Sequence, residues 1–366
     1  MENAQRQLTA VDELFLQRAY ELAARGIGST APNPPVGAVV VRDGRIVGEG
    51  YHHRAGDAHA EANALRHAGV RASGATLYVS LEPCRHVGRT PPCTQAVVAA
   101  GVARVVAGTF DPARHGGAAE LRERGVNVAV ADDPAARRLI ESFAHASSER
   151  PYVAVKMAMS LDGLVARRAG VRERIGSVEE ERYVRDLRTA YDAVMVGAGT
   201  VRTDDPLLTV RPPHDRERAY ARVVVAGEHS LAPSGRIFAD QDGYARTIVL
   251  VSPAARARHG ALDAVAEVVA AGSDGDVSLD LRAALRALRD RGICSVLCEG
   301  GPKLAASLLA ASLVDRVYWA ISPQFLSGNG GVAVLSGAHL AGKRLEFDRV
   351  ESVGSDLMVS GRCSAD

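Results

Sequence analysis

His59-Ala60-Glu61, taken with Leu81-Glu82-Pro83-Cys84-Arg85-His86-Val87-Gly88-Arg89-Thr90-Pro91-Pro92-Cys93, is the passage around which the rest of this chain arranges itself. One histidine and two cysteines offer three ligands of a softness that suits zinc, and they leave a fourth tetrahedral position for water. A carboxylate two residues from the histidine lies close enough to move protons without binding metal itself. A lone histidine or a lone buried cysteine is most often structural. Chance does not readily place His-x-Glu, Pro-Cys and a further Cys in this order between strand-like and helix-like segments.

The flanking sequence supports that placement. His59 to His67 reads as a helix with His59 and Glu61 in its first turn, where the amino end favours a negative carboxylate. Ala75 to Leu81 reads as a buried strand, and Cys93 opens a helix running to Ala100, a position that stabilises a thiolate. Upstream, Asp12 to Arg25 carries apolar residues at helical spacing, with Thr9 or Asp12 as its cap. Pro32-Asn33-Pro34-Pro35-Val36-Gly37 is a rigid turn into a hairpin that reverses at Arg42-Asp43-Gly44-Arg45. Asn33 has two open readings, turn chemistry or an amide that bonds the edge of a heterocycle. The insert between the cysteines is basic; Arg89 and Thr90 suit a phosphate, or they sit in a solvated loop. Val102 to Gly108 is another strand, and Leu121 to Val130 gives a short helix and a strand. A further helix is expected from Ala135 to about His145. Strands alternating with helices make the class α/β.

The motif order His-x-Glu, then Pro-Cys…Cys, is that of the zinc deaminases. Pro32-Asn33-Pro34-x-Val36-Gly37, His59-Ala60-Glu61 and the long Leu81–Cys93 motif resemble the deaminase domain of the bifunctional riboflavin-biosynthesis deaminase/reductases. The long insert separates this pattern from deaminases that keep two residues between the cysteines. The resemblance implies a cytidine-deaminase-like α/β/α domain in which His59, Cys84 and Cys93 hold Zn2+ and Glu61 shuttles protons. It further implies that Asn33, His52 and His86 contact the base of a phosphoribosylaminopyrimidine, while Arg89 and Thr90 reach its phosphate.

Composition narrows the remaining classes. A length of 366 residues suits two domains at about 100–200 residues each. The net charge of +1 argues against a broad nucleic-acid footprint, and 4% aromatics leaves little for base stacking. Five cysteines, an odd number, do not form a secreted disulfide framework. No apolar run reaches the ~18–20 residues that cross a bilayer, and Met1 to Val11 lacks a signal-peptide core. The expectation is a reduced, cytoplasmic protein without nucleic-acid or membrane partners.

The polar run Ser147-Ser148-Glu149-Arg150-Pro151 places a boundary between domains at 1–148 and 149–366. Beyond it, Tyr152 to Met159 is a strand and Val178 to Arg188 a helix. Ala193 to Val196 is a strand ending in Gly197-Ala198-Gly199-Thr200, and Ser295 to Cys298 is a strand followed by Glu299-Gly300-Gly301-Pro302 and a helix from Lys303 to Ala311. Small residues at a helix start allow close approach to a pyrophosphate. Cys294 and Cys298 read as strand residues rather than as a metal or redox pair.

These segments resemble the reductase half of the same family, a dihydrofolate-reductase-like α/β domain that uses NADPH. Val155-Lys156-x-Ala158-x-Ser160-Leu161-Asp162-Gly163, Gly197-x-Gly199-Thr200-Val201, Asp204-Asp205-Pro206-x-Leu208-Thr209-Val210-Arg211 and Glu299-Gly300-Gly301-Pro302 carry the likeness. It implies that Ala158, Thr200, Asp204, Gly301, Pro302, Lys303, Leu304 and Ala305 line the cofactor. Lys156, Arg188, Leu208, Arg211 and Glu299 would face the substrate, in a homo-oligomer. One stretch departs: Arg172-Glu173-Arg174-Ile175 stands where the family has Ser-x-Trp-Ile. Two long cations there would rebuild one wall of the reductase pocket. The same departure opens an alternative, a deaminase of a specialised, toxoflavin-like pathway with an altered or silent reductase.

Overall fold

The computed structural model describes residues 8–87, 91–145, 147–210, 220–239, 245–327 and 330–363. The chain separates into two compact units, Met1–Ser147 and Ser148–Asp366.

In the first unit, α1 (Ala10–Ala24) is followed by the hairpin β1 (Gly37–Arg42) and β2 (Arg45–Tyr51), and then by α2 (Ala60–Ala68) and β3 (Thr76–Val79). After these come α3 (Cys93–Ala99), β4 (Arg104–Ala107), α4 (Gly117–Glu123), β5 (Asn127–Val130), α5 (Pro134–Leu139) and α6 (Glu141–Ala144). The sheet order is β2-β1-β3-β4-β5, with β1 antiparallel to both neighbours and β3, β4 and β5 mutually parallel. The period of two in β1 builds the layers. Val39 and Val41 face α1 through Phe15, Leu16 and Ala19, whereas Ala38 and Val40 pack with Ala60, Ala64 and Leu65 of α2. Thr9 and Asp12 both serve at the start of α1: the Thr9 hydroxyl accepts from Asp12 N and the Asp12 carboxylate accepts from Thr9 N.

Two expectations shift. His59 is the cap of α2 rather than a residue of its first turn, with extended backbone at φ −68° and ψ 162°. The single helix expected over 135–145 is broken at Ile140, which leaves helical geometry at φ −110° and ψ 12° and is 3% exposed in the core beneath the sheet. Burying that branched side chain wins over continuing the helix.

The second unit begins with β6 (Tyr152–Ser160), β7 (Leu164–Ala166), α7 (Val178–Ala190), β8 (Ala193–Gly197) and α8 (Ala198–Asp204). Next are β9 (Tyr220–Gly227), β10 (Ala245–Val251), β11 (Glu267–Ala270), α9 (Leu281–Asp290), β12 (Ser295–Cys298) and α10 (Pro302–Ala310). The chain closes with β13 (Arg316–Ser322), β14 (Val332–Ala333), β15 (Leu345–Val353) and β16 (Asp356–Cys363). Among the described residues the main sheet has nine strands, ordered β11-β10-β9-β8-β12-β6-β13-β16-β15. From β11 to β13 neighbouring strands are parallel; β16 runs antiparallel to β13 and β15. Buried on both faces, β12 is wholly inaccessible in pattern, which is why Ser-Val-Leu-Cys reads as an unbroken buried run. The chain enters β12 between β6 and β8 long after both are made, so their carboxyl ends open a crevice at a reversal of strand order.

Candidate active sites

The first site lies where α2 and α3 begin. His59 Nδ1 is 3.2 Å from Cys93 Sγ and 3.5 Å from Cys84 Sγ, and the three ligand atoms all fall within 4.8 Å of one another. Two ligands of one tetrahedral zinc stand about 3.5 Å apart when one is nitrogen and the other sulfur, so the donor set fits that ion. Among the described residues this is the one cluster of its kind.

Local structure holds each ligand in place. Asn63 on α2 donates to the carbonyls of Tyr51 and Ala58, tying the helix to the end of β2. A side chain at Gly50 would come within 2.5 Å of Ala64 N, so glycine lets α2 settle directly on β2. The carbonyl of Cys84 accepts from Thr94 N, and Cys93 N donates to Cys84 Sγ at 3.4 Å. The start of α3 therefore steadies the sulfur of Cys84, not that of Cys93 as its helix position suggests. Hydrogen bonds from the Cys93 thiol and His59 hold the Cys84 thiol down at about 4, despite burial. Its partner Cys93 is pushed up, chiefly by that same bond. Two thiols and an imidazole this close together form a cluster disposed to take a cation.

Glu61 is 3% exposed in the first turn of α2. Burial, and then the charge of Cys84, raise its carboxyl to about 7, where it can both take and give a proton near neutrality. His52 is buried; its Nε2 lies 3.1 Å from Asn33 Nδ2 and its Nδ1 3.2 Å from the Ala58 carbonyl. An amide N–H can only donate, so the hydrogen-bond network assigns the ring proton to Nδ1 and leaves Nε2 accepting. Burial lowers the His52 pKa and keeps the ring neutral. The His52 ring meets that of His59 edge-on at 5.4 Å. His86 has a buried Nδ1 without a hydrogen-bond partner among the described residues. Arg89 and Thr90 lie outside the described residues.

Glu82 is a residue whose part the sequence reading did not single out. It is buried, and its carboxylate accepts from the backbone N–H groups of Asp111, Gly116 and Ala118. That clamps the 111–118 loop behind Pro83-Cys84. Only its place beside the motif Pro-Cys hinted at this.

The second site is a cavity of about 710 Å³ at the carboxyl ends of β6, β8, β9 and β12. Ala158, Thr200, Asp204, Gly301, Pro302, Lys303 and Leu304 line it, as do Lys156 and Glu299. Ala305 does not: it is fully buried in the core on the far side of α10. Leu208 packs into an apolar cluster with Val194, Val196 and Val201. Arg188 stands behind the wall, donating to both Glu299 oxygens at 2.6 Å and to the Thr209 carbonyl at 3.1 Å. Lys156 forms an ion pair with the buried Glu180. Arg211 lies outside the described residues. Gly301 caps α10 and Pro302 is its first residue, so free N–H groups of a nine-residue helix open on the cavity, suited to a pyrophosphate. Of the two departing cations, Arg172 lines the cavity, while Arg174 turns away to pair with Glu181 at 3.0 Å. One cation, not two, therefore rebuilds that wall. Cys298 is buried in β12 and Cys294 precedes it; all five cysteines are free thiols.

Comparison with known proteins agrees with both sites. The family model for the cytidine and deoxycytidylate deaminase zinc-binding region matches residues 9–109, and that for the RibD C-terminal domain matches residues 151–359. The riboflavin biosynthesis protein RibD of Escherichia coli is 38% identical over 94% of this chain and 98% of its own length. RibD of Aquifex aeolicus is 36% identical over 95% and 98%. Among solved structures, Acinetobacter baumannii RibD aligns with a TM-score of 0.81 at 32% identity, covering 97% of this chain and 99% of its own. The diaminohydroxyphosphoribosylaminopyrimidine deaminase/5-amino-6-(5-phosphoribosylamino)uracil reductase of Thermotoga maritima aligns at 0.80 and 34%, with the same coverage. The specialised-pathway alternative finds no support among these relatives. With both halves matched over nearly their whole length, the chain belongs to the RibD family, the zinc- and NADPH-dependent bifunctional deaminase/reductases of riboflavin biosynthesis.

Proposed function

We propose that this chain removes the exocyclic amine of 2,5-diamino-6-(5-phosphoribosylamino)pyrimidin-4-one by hydrolysis and then reduces the ribosyl group of the product to ribityl. The observation that carries the reading is the buried His59, Cys84 and Cys93 cluster with Glu61 in the adjoining helical turn. Zinc, when bound by those three residues, supplies the Lewis acid that activates water. Glu61 accepts one proton of the attacking water and hands it to a ring nitrogen; it then takes the remaining proton of that oxygen and gives it to the exocyclic amino group, so that the C–N bond breaks, the carbonyl forms and ammonia departs. The His52–Asn33 pair presents a neutral ring and an amide to the heterocycle edge, and we assign His86, whose Nδ1 has no partner among the described residues, to the same base. Arg89 and Thr90 are the residues we assign to the phosphate.

In the reductase half NADPH supplies the hydride when bound. Gly301 to Lys303 offer the helix start to its pyrophosphate; Ala158, Thr200, Asp204 and Leu304 complete the wall. Lys156 and Glu299 face the substrate, and Arg188 holds Glu299 in position. Arg211 remains assigned to the substrate side.

Free thiols throughout, and no helix among the described residues long and apolar enough to cross a membrane, support a cytoplasmic site of action. A homo-oligomer is supported by the edge strand β15 and its neighbour β16, which expose Phe347 at 65%, Val350 at 59% and Leu357 at 41%. Sedimentation of the purified protein tests this. The activity itself is tested by a two-step assay that follows ammonia release and then loss of NADPH absorbance. Ammonia without NADPH consumption sinks the second half of the reading, and no ammonia from zinc-loaded protein sinks the first.

A further inference from the structure

Of the 44 lysines and arginines in this chain three are lysine, Lys156, Lys303 and Lys343. Two of them, Lys156 and Lys303, line the reductase cavity. An ammonium is a compact point charge on a flexible four-carbon stem, so its place is set by whatever holds it. Lys156 is held by Glu180: its Nζ pairs with Glu180 Oε1, and the two side chains are 11% and 5% exposed. That oxygen takes no hydrogen bond from any other described group.

Glu180 is the middle member of Glu179-Glu180-Glu181 in the first turn of α7. Such a run is ordinarily a solvated helix start that suits the dipole. Here Glu179 is exposed and Glu181 meets Arg174 and Arg185 in reach of solvent, but Glu180 is buried. A carboxylate is costly to bury without a cation beside it. Two further features aim it. Ser177 Oγ accepts from Glu180 N at 3.1 Å, and Ser177 N donates to the buried Asp356 at 2.7 Å, which ties this turn of α7 to the start of β16. At residue 176 a Cβ would lie 2.3 Å from Glu180 Oε2, and the chain has glycine there. On the cavity side, Cys298 pairs with Val155 in the parallel ladder, so the residues that follow, Glu299 and Lys156, leave neighbouring strands side by side. Helix α7 supplies a partner for each, Arg188 for Glu299 and Glu180 for Lys156.

We propose that Glu180 is a positioning residue of the reductase: it holds the Lys156 ammonium at one point of the cavity wall beside Glu299, and turnover of the reductase depends on that placement. The proposal rests on the function given above.

The test uses full-length zinc-loaded protein and its Glu180→Gln, Glu180→Asp, Gly176→Ala and Lys156→Met variants, with NADPH and 5-amino-6-(5-phosphoribosylamino)uracil. Glu180→Gln keeps the volume and removes the charge; Gly176→Ala keeps both charges and pushes the carboxylate aside. Titration with NADP+ checks that the second unit of each variant is folded, and its affinity should be unchanged. Glu180→Gln and Gly176→Ala should each lower kcat for NADPH oxidation about 10- to 100-fold with little change in KM, the cost of a misplaced group. Glu180→Asp should recover part of the loss. Combined with Lys156→Met, Glu180→Gln should cost nothing further, because it acts through the lysine. A Glu180→Gln kcat at or above that of the wild type, a loss that adds in full to that of Lys156→Met, or a parallel loss of NADP+ affinity overturns the proposal.

A wild type that oxidises no NADPH counts against the assigned reaction instead, and Glu180 is then judged by amine labelling. Trace acetic anhydride at neutral pH is read by mass spectrometry at Lys156, with Lys343 of the same sample as the reference. An amine tied to a carboxylate acylates more slowly than a loose one, so Glu180→Gln and Gly176→Ala should raise the labelling of Lys156 about tenfold. Labelling equal to that of the wild type overturns the pairing.

Discussion

Arg188 and Glu299 meet through two parallel contacts of 2.6 Å, one from Nε and one from an Nη, behind the wall of the reductase cavity. The two residues come from α7 and from the turn after β12. Each is largely buried, at 16% and 12% side-chain exposure. The pair fixes the direction in which Glu299 faces the cavity. Arg188→Ala leaves that carboxylate buried and uncompensated, and the second unit should lose about 3 kcal/mol of stability. NADPH oxidation should fall at least tenfold while ammonia release stays at the wild-type rate. Equal loss of both activities would show that the pair has no special tie to the reductase.

Glu61→Gln keeps the volume of the side chain and removes its ability to accept a proton. Ammonia release should drop by about 10²–10⁴-fold, the usual share of a general acid–base. Zinc content, read by elemental analysis, should be unchanged, because Glu61 is not one of the three ligands. Loss of the metal along with the activity would make Glu61 a structural residue.

Stripping zinc with a chelator should abolish deamination and leave NADPH oxidation of the deaminated product intact, since the three ligands all lie in the first unit. Zinc added back should restore ammonia release. Persistent deamination in protein shown to be free of metal would contradict the assignment of His59, Cys84 and Cys93.

Acid should unfold the first unit through Asp12. This carboxyl is 1% exposed; burial alone would raise it, but Arg104, Thr9 and Tyr78 outweigh burial and hold it well below its ordinary 3.8. Arg104 reaches both oxygens, at 2.7 and 3.1 Å. A carboxyl depressed in the folded state binds fewer protons there than in the unfolded chain. Its contribution is therefore complete above 3.8 and is lost as the pH falls below that value. Asp12→Ala should cost about 3 kcal/mol at neutral pH and flatten the fall in melting temperature as the pH drops below about 4, the ordinary carboxyl value. An unchanged slope would remove Asp12 as the acid-sensitive group.

Gly117→Ala probes the support behind the metal ligands. A Cβ there would lie 1.8 Å from the Pro83 carbonyl oxygen, a contact that only backbone movement can relieve. Since Pro83 precedes Cys84, the movement should weaken zinc retention during dialysis and slow ammonia release, with little change at the reductase. A variant that keeps its zinc like the wild type would show that the loop yields elsewhere.

Much of this was open to reading in the chain. His59, Cys84 and Cys93 could be matched because their softness and order are properties of residue type, and the apolar run Ala38-Val39-Val40-Val41 reads as a strand, which the fold then covers on both faces. Pairings across long separations were not readable in the same way. Glu82 clamping Ala118, Glu180 meeting Lys156 and Arg174 turning to Glu181 depend on which backbone segments the fold brings together. Arg172 and Arg174 look alike in sequence, yet one lines the cavity and the other leaves it. Helix ends slipped for a related reason: the break at Ile140 comes from a tertiary preference for burial, which local propensity does not record.

The order of side chains along the polymer determined the chemistry available to this protein: a soft three-ligand set, a carboxylate beside it, glycines where a helix must begin over a phosphate. Those are local matters, governed by what each residue is and by its few nearest neighbours in the chain. Only the tertiary structure decided which cation meets which carboxylate. A cation's usefulness depends on whether a carboxylate from a distant segment holds it in a site shielded from water, and that is set by packing.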